Sequence, residues 1–225
     1  MMRRAHRIAI VLATVAFGAS ATSDAFARDR SNEGAVVIRA SGATLDGIGE
    51  GTIVAVSGST VRILTAKHVA TYGPLTILFE DGTRASAHVL ETMPDRDLAI
   101  VEADVAPDFA RSVHAAAIAA PLEADPIHLW GNGRDDKAPM VAAVGIPGAD
   151  LPDGAAKGRF AFACSRCHEG NSGAGLFDAD GHLVGVYVGY FGTASSDRIS
   201  IAENPLVAER IVRDRPYPTT LASSP

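Results

Sequence analysis

Thr52-Ile53-Val54-Ala55-Val56-Ser57-Gly58-Ser59-Thr60-Val61-Arg62-Ile63-Leu64-Thr65 is the stretch that decides the fold class. Two runs rich in β-branched residues, Thr52 to Val56 and Val61 to Thr65, flank a turn at Ser57-Gly58-Ser59. Branching at Cβ crowds a helix and suits a pleated sheet, while glycine lets the chain reverse, so the stretch reads as a β-hairpin. The same style continues outward. Leu75 to Phe79 ends at Glu80-Asp81-Gly82 and Ala85 to Leu90 follows, a second hairpin, and Asp97 to Glu102 is a further strand. Residues 105–125, rich in Ala and Pro, read as a linker with a short helical turn. Beyond it, Pro126 to Trp130, Pro139 to Val144, Phe160 to Cys164, Gly175 to Phe177 and His182 to Phe191 read as strands. A C-terminal helix is expected over Asn204 to Val212, started by Asn204 with Pro205 at its first position. Two all-β halves of this kind fit closed barrels better than a parallel sheet.

Composition narrows the function classes. Of 225 residues, 47% are apolar and 20% charged, which suits a globular chain and excludes a disordered one. Twenty basic against 26 acidic residues give a formal charge of −6, so no basic surplus exists to neutralise nucleic-acid phosphates. Residues 1–27 read as a signal peptide: Arg3, Arg4 and Arg7 precede the apolar run Ile8 to Ala19, and Ala25-Phe26-Ala27 supplies small-x-small before Arg28. The apolar run is shorter than the roughly 20 residues a membrane-spanning helix needs. Loss of three arginines and Asp24 with the leader brings the net charge to −8. A periplasmic or secreted protein is expected, with no membrane attachment after cleavage.

Three short segments carry the chemistry. Leu64-Thr65-Ala66-Lys67-His68-Val69 places a histidine after a strand, and Asp95-Arg96-Asp97-Leu98-Ala99-Ile100 places an acid at the start of one. Glu169-Gly170-Asn171-Ser172-Gly173-Ala174-Gly175 sets a serine between glycines. A serine hydroxyl is a poor nucleophile at neutral pH until an imidazole accepts its proton. That imidazole needs an acceptor on its other nitrogen to fix the tautomer. In this order, the segments resemble the chymotrypsin/trypsin-like serine proteases, in the compact exported bacterial branch that includes the Deg-type enzymes. An α/β-hydrolase elbow is excluded, because Gly-x-Ser-x-Gly requires glycine where Ala174 stands and only His182 follows the serine.

The resemblance implies two six-stranded antiparallel β-barrels with a short C-terminal helix and the cleft between them. Residues 28–118 would form the first barrel, bearing His68 and Asp97, and residues 119–225 the second, bearing Ser172. Too little chain follows the last strand for a PDZ module of the Deg type, which is expected to be absent. The implied activity is hydrolysis of polypeptide substrates by a serine endopeptidase, through an acyl-enzyme and without a cofactor. Ser172 would be the nucleophile, His68 the general base and Asp97 the orienting carboxylate, with the N–H groups of Gly170 and Ser172 as the oxyanion hole. Val188, Gly189 and Tyr190 would pair with substrate backbone. Arg166, six residues before the nucleophile, would either line the specificity pocket, disfavouring basic side chains and admitting acidic ones, or point into solvent.

Departures from the family pattern set the alternatives. Asn171 stands where trypsin carries an acid that pairs with a freshly cut N-terminus, and no Ile-Val-Gly-Gly occurs upstream, so zymogen activation is expected to be absent. Lys67 and Ala174 replace smaller family residues, which motivates a second reading as an inactive, protease-like binding domain. Cys164-Ser165-Arg166-Cys167-His168 spells the c-type haem attachment signature, a third reading. For these two cysteines a local disulfide or dithiol is expected first, redox regulation of the pocket second and haem last. No zinc-ligand spacing accompanies them.

Overall fold

The computed structural model describes residues 34–42, 46–121, 127–130, 140–147, 158–164, 167–191 and 199–216. The expected leader and Arg166 lie outside the described residues. The fold is all-β. Strands β1 (Ala35–Ser41), β2 (Asp46–Ser57), β3 (Thr60–Thr65), β4 (Leu75–Leu78), β5 (Arg84–Thr92) and β6 (Ala99–Asp104) precede β7 (Ile127–Trp130), β8 (Met140–Pro147), β9 (Arg159–Ala163), β10 (Gly175–Phe177), β11 (Leu183–Phe191) and β12 (Ile199–Glu203). Among the described residues there are three short helices: α1 (Lys67–Ala70), α2 (Pro107–Ala110) and α3 (Leu206–Asp214). The first six strands close into a barrel in the order β1-β2-β3-β6-β5-β4, and the second six close as β10-β11-β12-β9-β8-β7. Every strand pair is antiparallel.

The opening hairpin is β2–β3, with Val56 opposite Val61 and Ile53 opposite Ile63. Strand β3 is buried along its whole length because both of its faces are covered. Val61 and Ile63 point into the first barrel with Ile38, Ile77 and Val101. Leu64 faces the other way, into a cluster with Leu98 and Ile100, Phe177, Leu183 and Val186 of the second barrel, and Ala208 and Val212 of α3. This cluster joins the two barrels, and the alternation of one strand therefore feeds two cores. The second barrel has its own core of Leu129, Phe160, Phe162, Leu176 and Tyr187.

Several boundaries differ from the sequence reading. Strands β1 and β12 are additions to the strands that it recognised. Strand β2 begins at Asp46, not Thr52, because Gly47, Gly49 and Gly51 hide an extended segment that pairs with β1. Helix α3 runs from Leu206 to Asp214, and Asn204 acts through its side chain, which accepts the Leu206 N–H at 3.0 Å. The 105–121 connection contains α2 and is tied to both barrels, through Ala116 N–H to Ile53 O at 2.9 Å and Ala119 N–H to Leu183 O at 3.0 Å.

Candidate active site

His68 lies in the single turn α1, directly after β3, and Asp97 in the loop before β6. Because β3 and β6 are paired along their length, with Thr65 opposite Ala99, these two flanking segments are neighbours. The His68 Nδ1–H donates to Asp97 Oδ2 at 2.7 Å and the His68 backbone N–H to Asp97 Oδ1 at 3.0 Å. The Asp97 carbonyl in turn accepts the Lys67 N–H at 3.1 Å. Burial alone would raise the Asp97 carboxyl. The hydrogen bonds from the His68 ring and backbone, with the charges of His68 and Lys67, outweigh burial and hold it below its ordinary value. An ionised carboxylate only accepts, so the proton of this bond sits on Nδ1.

The segment around Ser172 comes from the second barrel and docks on the first. Glu50 N–H donates to Ser172 O at 2.8 Å, and Gly173 N–H donates to Tyr187 O at 2.7 Å. A Cβ built on Gly49 would lie 2.8 Å from Ser172 O and 2.5 Å from Val69, so the serine and the residue after His68 abut the same point of β2. Neither His68 Nε2 nor the Ser172 hydroxyl has a hydrogen-bond partner among the described residues. Gly173 has φ +94, and a Cβ there would lie 1.9 Å from Glu50 O, so only glycine lets this loop seat. The backbone N–H groups of Gly170 and Ser172 donate to no acceptor among the described residues. Two backbone donors on either side of Asn171 suit a site that receives developing negative charge.

Asn171, between them, is fully buried. Its Nδ2 donates to Glu50 Oε1 at 3.0 Å, and its Oδ1 accepts the His168 N–H at 3.1 Å. The amide that cannot pair with a new N-terminus thus pins the loop to the first barrel through a buried glutamate. Nothing in the sequence pattern marked Glu50. The Lys67 side chain turns away from His68, its Nζ donating to Met93 O at 3.2 Å and Pro94 O at 3.5 Å. Ala174 is buried with Cys164, Phe160 and Tyr187, so its methyl fills the second core. Cys164 and Cys167 form a disulfide. Both residues are buried, and the bond is the local disulfide expected first for this pair. His168, exposed, bonds through Nδ1 to Glu169 O at 2.8 Å.

Val188, Gly189 and Tyr190 are half-buried on β11. On one side Gly189 and Tyr190 pair with Ile201 and Ser200 of β12. Strand β10 pairs with β11 only through Leu183–Val186, so no described strand covers the other side of residues 188–190. No described helix is long and apolar enough to cross a membrane.

Two facing antiparallel barrels with a histidine–carboxylate pair on one and a glycine-flanked serine on the other define the trypsin-like peptidase class. The model of the trypsin-like peptidase domain family matches residues 49–186, more than half of the chain, and the protein belongs to that family. Among solved structures, the HtrA-type protease AlgW with a tripeptide superposes with a TM-score of 0.69 at 18% identity, covering 84% of this chain and 64% of that one. AlgW with a decapeptide gives 0.67 at 17% identity, over 84% and 66%. The serine endoprotease from Yersinia pestis gives 0.63 at 20% identity, over 88% and 69%. The chain therefore spans slightly less than two thirds of AlgW. No curated protein matches it in sequence.

Proposed function

We propose that the protein is an exported serine endopeptidase that cleaves polypeptides with Ser172 as nucleophile, His68 as general base and Asp97 as orienting carboxylate. The observation that carries this reading is the 2.7 Å His68–Asp97 bond beside the docked serine loop, which leaves Nε2 available to the Ser172 hydroxyl. In the reaction, the Ser172 hydroxyl oxygen attacks the scissile carbonyl while its proton passes to His68 Nε2. The oxyanion is received by the N–H groups of Gly170 and Ser172, a donor of this kind being worth about 3 kcal/mol. The C–N bond then breaks, the leaving amine takes the proton from His68, and water hydrolyses the acyl-enzyme with His68 again as base. Val188, Gly189 and Tyr190, half-buried at the end of β11, would pair with substrate backbone as an added strand. Residues 28–118 would supply the base and its carboxylate, and residues 119–225 the nucleophile. The leader over residues 1–27 supports a periplasmic or secreted location.

Ser172→Ala tests the reading. Turnover of an unstructured polypeptide should fall by about 10⁴- to 10⁶-fold with the fold retained, and a fluorophosphonate probe should label the parent only. Equal hydrolysis by both proteins would refute it.

A further inference from the structure

We propose that Glu203 is a positioning residue that references the His68–Asp97 pair to the barrel carrying Ser172. The proposal rests on the serine-protease reading above. Glu203 ends β12 in the second barrel, and its side chain is wholly buried. Its Oε1 accepts the backbone N–H of Asp97 at 3.0 Å and the Arg159 Nε–H at 2.6 Å, while Oε2 lies 3.5 Å from Arg96 Nη1. A buried carboxylate is costly to desolvate, and the two guanidinium groups offset that cost. An apolar side chain would fill the same volume without it. The carboxylate adds an acceptor, held by the second barrel, for a backbone donor of the first.

The location gives that acceptor its consequence. Asp97 already spends both side-chain oxygens on His68 and its carbonyl on Lys67. Its N–H is thus the group through which the other barrel can hold it. Arg96, the residue before it, is laid over Gly158, where a Cβ would lie 2.5 Å from its Nη atoms. Asn204 N–H closes the same corner on Gly158 O at 2.8 Å. The nucleophile rides on one barrel and its base on the other, so their alignment depends on how the barrels register. Glu203 ties that register to Asp97 and, through it, to the His68 ring. A misplacement of about 1 Å in such a pair costs on the order of 100-fold in rate.

The test separates positioning from an ordinary ion pair. Glu203→Gln keeps an oxygen at the Asp97 N–H. The double variant Glu203→Met with Arg159→Met removes the acceptor together with its nearer charge partner, and leaves the partly exposed Arg96 to solvent. Glu203→Gln should retain kcat within about threefold, whereas the folded double variant should lose at least about tenfold in kcat with KM within about twofold. In proton NMR, the low-field His68 Nδ1–H resonance should stay in place in Glu203→Gln and move or broaden in the double variant. That signal is read without turnover. Failure of the parent to react with a fluorophosphonate would therefore count against the protease reading, and an unmoved resonance against this one. A folded double variant with kcat within twofold of the parent, or a Glu203→Gln protein as impaired as the double variant, overturns the proposal. Should the double variant not fold, Glu203→Ala takes its place at a temperature where circular dichroism shows it folded, with the same two outcomes.

Discussion

Asp97 is held by α1, by the His68 ring and by the second barrel, and its ionisation follows from that setting. Its carboxyl lies below its ordinary value, so the stabilisation is fully present above the unfolded value and is lost as pH falls through the folded one. Urea unfolding of the parent and Asp97→Asn between pH 5 and pH 2 should show the parent's advantage shrinking as acid is added. A difference that stays constant across that window would contradict the assignment. At this scale, the expectation for His68, Asp97 and Ser172 rests on three patterns, each weak alone, taken in order, and the structure brings His68 and Asp97 together. Glu50 and Glu203 were not legible in the sequence. A carboxylate in a linear sequence reads as surface, and only the fold supplies the Asn171 amide and the two arginines that make these burials tolerable.

The serine loop is the element on which activity should depend most steeply. It has no helix or strand of its own between His168 and Ala174, and it is held by bonds to β2, β11 and the Asn171 side chain. Gly173→Ala places a methyl against Glu50 O and the Thr65 hydroxyl, which itself donates to Glu50 O at 2.6 Å. The loop must then lift from β2, and the rate of fluorophosphonate labelling should fall by about 100-fold. Labelling at the parent rate would show that the seat is not required. The glycines are legible in the sequence; what presses on them is not. Strand β1 is hidden in the sequence despite Val36-Val37-Ile38, because the half of its neighbour β2 that pairs with it is broken up by Gly47, Gly49 and Gly51, while β12, with its alternation Ile199-Ser200-Ile201-Ala202, pairs with its neighbour β11. Strand β1 pairs with β4 as well as β2, and β12 with β9 as well as β11; β4 and β9 are remote in sequence and provide barrel closure or continuity.

At the scale of the molecule, the C-terminal helix is bolted to the first barrel by Arg62, in the middle of the opening hairpin. Its guanidinium is fully buried, paired with Glu102 at 3.0 Å, and donates to the carbonyls of Val212 and Arg215 at 2.8 Å and Pro216 at 3.0 Å. Arg62→Met leaves a buried carboxylate and three carbonyls without that donor, which should destabilise the protein by about 3–5 kcal/mol in urea unfolding. Adding Glu102→Met should recover part of the loss, and additive losses would argue against the coupling. Local sequence determined the strand-forming runs, the turns and the three segments with reactive side chains, since β propensity and glycine turns act over a few neighbouring residues. Only the tertiary structure decided that Arg62 is a core residue, that Asn171 answers to Glu50, and that Asp97 answers to Glu203. Each of those partners lies far away along the chain, and it is barrel closure and barrel packing that bring their charges together out of water.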